Sequence, residues 1–190
     1  MNKNILLCGV GGQGIVLTSK LIAASAMKKG FSVMSAETIG MAQKGGSVFS
    51  FLRMGENLHC PMFGKGSADL IIGFEPSEAV RMLPYLKNDG CMVVNTHTIM
   101  PTTASLKGSS YNGSEMIDYL NKKTKNLILL DDNEACGEIG SSKVLNMIML
   151  GFAIKSGVLP ISIEDVECVM KETVKPQFHD LNSKALHYEI

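Results

Sequence analysis

The sequence lacks a surplus of charge of either sign, and it lacks long hydrophobic runs. Its 190 residues carry 18 Lys and Arg and 18 Asp and Glu, which gives a net charge of zero. The basic footprint that nucleic-acid binding requires is therefore missing. No apolar run reaches the roughly 18 residues that a membrane helix needs, and the first apolar stretch is too short for the core of a signal peptide. We expect a soluble, cytoplasmic protein that binds neither nucleic acid nor membrane.

Cysteine and histidine do not show the spacings of metal sites or disulfide frameworks. The five cysteines are widely separated, their number is odd and no C-x-x-C occurs, which argues against disulfides and against a self-contained zinc or iron–sulfur site. Neither H-E-x-x-H, nor the G-x-S-x-G of α/β-hydrolases, nor a P-loop is present. The acidic run 131–138 could hold a metal, although such a run more often begins a solvated helix. We expect no metal on this chain.

Short apolar segments that alternate with helical segments predict the fold class. Strands are predicted at 4–8, 31–37, 47–54, 68–74, 91–97 and 126–132, and helices at 12–29, 76–86 and 114–123. The first strand, helix and second strand have the length of a right-handed parallel β-α-β unit. An apolar helix at 144–154 ends at Gly157, and Ser162 with Asp165 predicts a capping box. The sequence thus predicts one α/β domain, 1–190, in three layers: a mainly parallel, Rossmann-like sheet flanked by helices, with a helical C-terminal third.

The segment G-V-G-G-Q-G at 9–14 is typical of a phosphate-binding loop. Gly9, Gly11 and Gly14 match the G-x-G-x-x-G fingerprint of dinucleotide-binding domains, between a predicted strand and a predicted helix. The N–H groups at the start of that helix suit an anion. Glu37 ends the second strand, where a ribose-binding carboxylate would lie, so a free-standing NAD(P)- or flavin-binding protein is one hypothesis. A tight turn without a ligand is another.

Two further features weigh against a dinucleotide. Gly12 and Gln13 add a glycine and a polar side chain that pyrophosphate binding does not require. A second loop with glycine and glutamine, 39–48, follows the second predicted strand, and its Lys44 beside a glycine pair suits a phosphate or a carboxylate. Since ligands bind at the carboxyl edge of open α/β sheets, we expect the two loops to form one shared site or docking surface. The alternative is a flexible connection with a solvated lysine.

The two glycine segments together resemble one known family. The segments 8–23 (C-G-V-G-G-Q-G-I-V-L-T-S-K-L-I-A) and 40–55 (G-M-A-Q-K-G-G-S-V-F-S-F-L-R-M-G) resemble the two signatures of the gamma-type domain of 2-oxoacid:ferredoxin oxidoreductases. The segments 146–160 and 176–186 are similar to the C-terminal helices of that domain. The resemblance covers about residues 3–188, and within the family it is greatest to the enzymes that act on indolepyruvate.

The resemblance implies an oxidative decarboxylation carried out with a larger alpha subunit. In the family, a 2-oxoacid, coenzyme A and oxidised ferredoxin give an acyl-CoA, carbon dioxide and reduced ferredoxin. Thiamine diphosphate and [4Fe-4S] clusters belong to the partner subunit. This chain has neither a cysteine quartet nor a thiamine-type G-D-G motif, so we expect no catalytic residue and no tightly bound cofactor on it. It would scaffold the active cleft and help to hold coenzyme A. A homodimer of the isolated chain, formed through its apolar helix, is a further alternative.

The family motifs also imply which residues form the binding surface, and the sequence departs from them at two positions. Lys44 stands where the family usually has arginine, which keeps the charge but loses a bidentate contact. Ile39 stands where a histidine is expected, so the 2-oxoacid remains open. The implied cofactor-binding positions are Gly9, Gly11, Gly12, Gln13, Gly14, Gln43, Lys44, Gly45, Gly46 and Ser47.

Overall fold

The protein is built on one six-stranded sheet. A computed structural model describes residues 2–38, 45–100 and 111–189. The strands are β1 (Lys3–Val10), β2 (Ser32–Thr38), β3 (Ser47–Gly55), β4 (Ala68–Gly73), β5 (Leu86–Asn95) and β6 (Asn126–Leu130). Their order across the sheet is β2-β3-β1-β4-β5-β6. β1, β4, β5 and β6 pair in parallel, whereas β3 pairs antiparallel with both β1 and β2. The mainly parallel sheet predicted from the sequence is confirmed.

Helices cover both faces of the sheet and complete the three predicted layers. Those described are α1 (Ile15–Lys28), α2 (Pro76–Met82), α3 (Ser114–Lys123), α4 (Asp132–Ile139), α5 (Leu145–Lys155), α6 (Ile163–Thr173) and α7 (His179–His187). Short 3₁₀ helices occupy Leu83–Tyr85, Ser142–Val144 and Pro176–Phe178. One buried cluster joins the sheet to α1 and α4–α7, and a second joins it to α2 and α3. Within the described ranges, no helix is long and apolar enough to cross a membrane.

The helical C-terminal third is confirmed, and its two local predictions can be checked. Ser162 accepts a hydrogen bond from the N–H of Asp165, and Asp165 accepts one from the N–H of Ser162, so the predicted capping box is present. The apolar helix α5 is buried inside the chain: Met147, Met149 and Leu150 are each at most 1% exposed. Core packing therefore accounts for most of its apolar surface, and Phe152 and Ile154 stay partly exposed. The homodimer considered from the sequence stays a prediction.

The position of β3 differs from the simplest form of the predicted β-α-β unit. β1 and β2 run in the same direction, as that unit requires, but β3 lies between them. Because β3 follows β2 directly in sequence, antiparallel pairing needs no crossover connection. Neighbouring strands lie about 4.8 Å apart, so β2 is an edge strand roughly 9.6 Å from β1. This spacing moves the end of β2 away from the first glycine loop.

Several element boundaries differ from the prediction, and two of them differ most. The helix expected at 76–86 ends at Met82, because Pro84 has no N–H to continue the α-helical hydrogen bonds. The strand expected at 91–97 starts earlier, at Leu86, with a polar and partly exposed first half. Lys87, Asn88 and Asp89 interrupt the apolar pattern there, so the sequence analysis did not include this half in the strand.

Candidate functional site

The first glycine loop joins the end of β1 to the start of α1 and has backbone angles that favour glycine. Gly12 has a φ of +108° and Gly14 a φ of +85°, both in the left-handed region. Gly14 is the N-cap of α1, and neither a side-chain hydrogen bond nor an acidic residue covers the first turn of that helix. The N–H groups of this turn and the positive end of the helix dipole therefore face outward, where they suit an anion.

The two predicted loops meet through backbone hydrogen bonds. The N–H of Gly11 donates to the carbonyl of Gly46 (2.9 Å), and the N–H of Gly45 donates to the carbonyl of Gly11 (3.4 Å). The loops thus lie side by side at one edge of the sheet, as expected from the sequence. Gln43 and Lys44, which were predicted to belong to the same surface, lie outside the described residues. Ligand binding by the motif residues stays a prediction.

Gln13 joins the ends of two neighbouring strands. Its Oε1 accepts a hydrogen bond from the N–H of Val10 (2.7 Å), and its Nε2 donates to the carbonyl of Phe74 just after β4 (2.8 Å). A Cβ atom at Gly9 would lie 2.6 Å from Oε1 of Gln13, so the folded-back glutamine requires glycine there. Sequence analysis placed Gln13 among the cofactor-binding positions; in the structure its side-chain oxygen and one of its N–H bonds hold the fold together.

A buried carboxylate holds the start of β3. Glu78 is 6% exposed, and its Oε2 accepts a hydrogen bond from the hydroxyl of Ser47 (2.6 Å). Its other oxygen lies 3.4 Å from Arg81 in the next turn of α2. Ser47, one of the predicted motif residues, therefore points toward α2 and anchors the second loop to that helix.

A second buried carboxylate, Glu75, caps α2. It is 1% exposed, and its side chain accepts hydrogen bonds from the N–H groups of Ser77 and Glu78. The hydroxyl of Tyr111 donates to its other oxygen (2.6 Å). Burial, together with the hydrogen bond to Glu75, raises the pKa of Tyr111 to about 12. Burial also raises the pKa of the Cys8 thiol, to which the charges of Glu78 and Glu75 add.

Sequence analysis did not identify this pair of carboxylates. A signal was available, because Glu75 follows a strongly apolar strand and precedes Pro76, and an acidic N-cap before a proline at the first helical position is typical of a helix start. That signal predicts the cap. It does not predict the contacts to Ser47 and Tyr111, which are remote in sequence.

A cavity of about 390 Å³ lies in front of the first glycine loop. It is at the carboxyl edge of the parallel strands, where ligands bind in open α/β sheets. Besides Gly12–Gly14, its lining includes His97 after β5, Asp132 after β6, and Lys143 and Asn146. Nδ1 of His97 lies 3.3 Å from Oδ1 of Asp132. The cavity thus combines an open helix N-terminus, a lysine and a histidine–aspartate pair.

The acidic run 131–138 does not form a cluster of metal ligands. Asp131 caps α4 by accepting a hydrogen bond from the N–H of Asn133 (2.9 Å), so this run begins a helix. Among residues 2–38, 45–100 and 111–189, no group of three or more His, Cys, Asp or Glu side chains converges to hold a metal ion.

The position of Glu37 does not match that of a ribose-binding carboxylate. Glu37 pairs with Ser50 of β3 at the end of β2, and β3 separates it from β1 and the glycine loop. In a dinucleotide-binding unit, the carboxylate lies on the strand next to the loop. Glu37 therefore no longer supports the hypothesis of a dinucleotide-binding protein.

A family model described as pyruvate ferredoxin/flavodoxin oxidoreductase matches residues 4–188. The chain belongs to this family. It is 38% identical to the indolepyruvate oxidoreductase subunit IorB of Archaeoglobus fulgidus over 98% of this chain and 92% of that protein. The resemblance found in the sequence is confirmed, and the chain is a small subunit of a 2-oxoacid:ferredoxin oxidoreductase.

Solved structures share the fold. The pyruvate oxidoreductase subunit PORC from Thermotoga maritima superposes with a TM-score of 0.71 at 21% identity, covering 98% of this chain and 93% of that one. A 2-oxoglutarate:ferredoxin oxidoreductase from Magnetococcus marinus gives a TM-score of 0.72 at 19% identity, covering 97% of this chain but 30% of that one. The fold therefore occurs both as a separate subunit and as part of a longer chain.

Proposed function

We propose that this chain is the small subunit of an enzyme that oxidises indolepyruvate or another aryl pyruvate. The substrate, coenzyme A and oxidised ferredoxin would give an acyl-CoA, carbon dioxide and reduced ferredoxin. The similarity to a subunit named for indolepyruvate, over nearly the whole of both chains, supports the substrate class. Thiamine diphosphate and iron–sulfur clusters, which enzymes of the family generally use, are proposed to reside on a larger alpha subunit that binds this chain.

The contact between the two glycine loops is the observation that carries the proposed role of this chain. The loops lie side by side through the Gly11–Gly46 hydrogen bond, and the open N-terminus of α1 is next to them. Such a surface suits phosphate groups, since backbone N–H donors and a helix dipole both favour negative charge. We propose that it faces the active cleft of the alpha subunit and holds the phosphates of coenzyme A.

The proposed surface consists of the ten motif residues named from the sequence, with Lys44 supplying a positive charge and Lys143 a second one at the cavity wall. The Magnetococcus marinus enzyme that shares the fold is described with coenzyme A and succinyl-CoA bound. This supports coenzyme A as the ligand class. The chain's share of the chemistry would be to bind and orient coenzyme A, not to form or break bonds.

Co-expression with the alpha subunit tests this role. We expect indolepyruvate-dependent reduction of a viologen dye to require both chains. Lys44→Ala should raise the KM for coenzyme A severalfold with little change in kcat. Lys44→Arg keeps the positive charge, so its KM for coenzyme A should stay near the wild-type value. Full activity with an unchanged KM for coenzyme A in the absence of this chain would contradict the proposal. Submillimolar binding of NADH or FAD by the chain alone, lost in Glu37→Ala, would favour the dinucleotide hypothesis instead.

A further inference from the structure

A lysine and a cysteine from two different helices meet at the end of α1 that lies away from the glycine loops. Nζ of Lys28, the last residue of α1, lies 3.5 Å from Sγ of Cys168 on α6. Because α1 has 14 residues, this contact is about 20 Å from the start of the helix. The contact is therefore separate from the candidate functional site.

Two ion pairs hold the ends of these helices against each other. Lys28 forms an ion pair with Glu172, which lies one turn after Cys168 on α6. The neighbouring Lys29 forms another with Asp165, at 3.0 Å. Asp165, Cys168 and Glu172 are three and four residues apart, so they lie along one face of α6. The packing of α1 on α6 thus presents Nζ and Sγ to each other, and a bond between them can form by movement of the two side chains.

Among the five cysteines, Cys168 combines exposure with a neighbouring amine. Cys8, Cys91 and Cys136 are buried, and burial raises the pKa of each of these thiols, so little of the reactive thiolate forms. Cys60 is exposed, but within the described residues no lysine nitrogen lies within hydrogen-bonding distance of its sulfur. Cys168 is exposed as well, so an oxidant in solution can reach its sulfur while Lys28 lies beside it.

The chemistry of this pair is that of a thiol that is oxidised next to an amine. A peroxide oxidises an exposed thiol to a sulfenic acid: an S–O bond forms, the O–O bond breaks and one water leaves. A sulfenic acid condenses with a nitrogen nucleophile to a sulfenamide. Here the neutral amine of Lys28 attacks Sγ of Cys168, the S–O bond breaks, and the hydroxide leaves as a second water with a proton from the amine. One peroxide thus takes two electrons from the thiol and yields one S–N bond.

We infer that Lys28 and Cys168 are a redox-sensitive modification site, at which a peroxide forms an S–N cross-link between α1 and α6. Two molecules of a thiol reductant break the S–N bond, restore the thiol and the amine, and become a disulfide. The first glycine loop precedes α1, so the cross-link ties the helix that carries this loop to the C-terminal helices. Neither residue belongs to the surface proposed for coenzyme A, so the cross-link is independent of the proposed function.

Peptide mass spectrometry of the full chain after exposure to hydrogen peroxide tests the inference. The hydrogen bond to Glu172 raises the pKa of the Lys28 amine, so the exposure is carried out at alkaline pH, where more of this amine is neutral. We expect two peptides joined through Lys28 and Cys168, with a mass two hydrogen atoms below their sum, which dithiothreitol separates. Oxidation of Cys168 without formation of the joined peptides would overturn the inference.

Two matched variants identify the atoms that form the bond. Lys28→Arg keeps the positive charge beside Glu172, but a guanidinium stays protonated and offers no neutral amine. We therefore expect oxidation of Cys168 in this variant without a cross-link. Cys60→Ser removes the other exposed thiol and should form the cross-link as the wild type does. An undiminished cross-link in Lys28→Arg, or its loss in Cys60→Ser, would show that other atoms form the bond and would overturn the inference.

Thermal unfolding gives an independent readout of where the bond lies. A bond between residues 140 positions apart restricts the unfolded chain, as a disulfide across a long loop does. The peroxide-treated wild type should melt several degrees above the same sample after addition of dithiothreitol, whereas Lys28→Arg should show no such reversible difference. No reversible rise in a sample that carries the bond would mean that the bond does not join α1 to α6 within one chain, and the inference would be wrong.

Discussion

The hydroxyl of Ser47 donates a 2.6 Å hydrogen bond to the buried carboxylate of Glu78. This contact joins the second glycine loop to α2, and the neighbouring Gly46 accepts a hydrogen bond from Gly11 of the first loop. Gln13 in turn donates to the carbonyl of Phe74, just before α2. The junction between β4 and α2 therefore positions both glycine loops.

Removal of the Ser47 hydroxyl should destabilise the fold more than replacement of the Glu78 carboxylate by a neutral amide. Ser47→Ala leaves Oε2 of Glu78 buried without its hydrogen bond, at an expected cost of about 1–3 kcal/mol. Glu78→Gln can still accept from Ser47 and loses mainly the pairing with the exposed Arg81, worth less than ~1 kcal/mol. Urea denaturation of the two single variants measures both losses. A loss for Ser47→Ala no larger than the loss for Glu78→Gln would show that the contact does not hold the loop.

Substitution of Gln13 should give a pH-dependent loss of stability. In Gln13→Glu an ionised carboxylate can accept from Val10 but cannot donate to the carbonyl of Phe74, so we expect a loss of about 1–3 kcal/mol near neutral pH. A protonated carboxyl can donate, so the loss should shrink as the pH falls through the pKa of the new group. Gln13→Met, which neither donates nor titrates, is the control. Equal pH profiles for the two variants would contradict the bridging role of Gln13.

Gly14→Ala should lower the free energy of unfolding more than Gly12→Ala does. Both positions have positive φ, which costs a residue with a Cβ about 1–2 kcal/mol. A Cβ at Gly14 would also lie 2.9 Å from Cβ of Asn146, whereas nothing lies within 4 Å of one at Gly12. Overpacking of this kind adds about 1–3 kcal/mol. Thermal unfolding of the two variants gives the difference, and identical costs would mean that α1 and α5 are not in close contact at this point.

Tyr111 should ionise at a higher pH than a tyrosine in an unfolded chain. Its pKa of about 12 arises from burial and from the hydrogen bond to Glu75. Ultraviolet absorbance of tyrosinate during an alkaline titration should show a late component that Tyr111→Phe removes, and Glu75→Gln should move this component to lower pH.

The raised pKa of Tyr111 also predicts how its contribution to stability changes with pH. A tyrosine whose folded pKa is raised stabilises the protein fully below the pKa of the unfolded chain, about 10. This stabilisation is lost as the pH rises toward about 12. The stability difference between wild type and Tyr111→Phe should therefore shrink over that interval. A constant difference, with circular dichroism showing both proteins folded, would contradict the assignment.

Local signals in the sequence were sufficient for much of the fold. The apolar run of β1 ends at a glycine, and Ser162 with Asp165 specifies a helix start within four residues, so both elements could be predicted without knowing their neighbours. The position of β3 between β1 and β2 could not be predicted from local signals. Alternation of side chains along Ser47–Gly55 is the same for parallel and antiparallel pairing, and the choice of β1 and β2 as neighbours depends on residues far apart in sequence.

The candidate site was predictable in its backbone but not in its buried polar contacts. Glycine patterns identified both loops. Carboxylates are seldom buried unless they are paired, and the partners of Glu78 and Glu75 lie 31 and 36 residues away.

The location of β3 also determines where this chain can change in length. Ser50 of β3 hydrogen-bonds to Ser19 of α1 (2.9 Å), while its neighbour Phe51 packs on the opposite face of the sheet. One residue inserted or deleted within Ser47–Gly55 would exchange these faces for the rest of the strand. The same change would separate Ser47 from Glu78 or Gly46 from Gly11. Insertions are therefore better tolerated in the mostly exposed connection 56–66, where added residues leave both glycine loops in place.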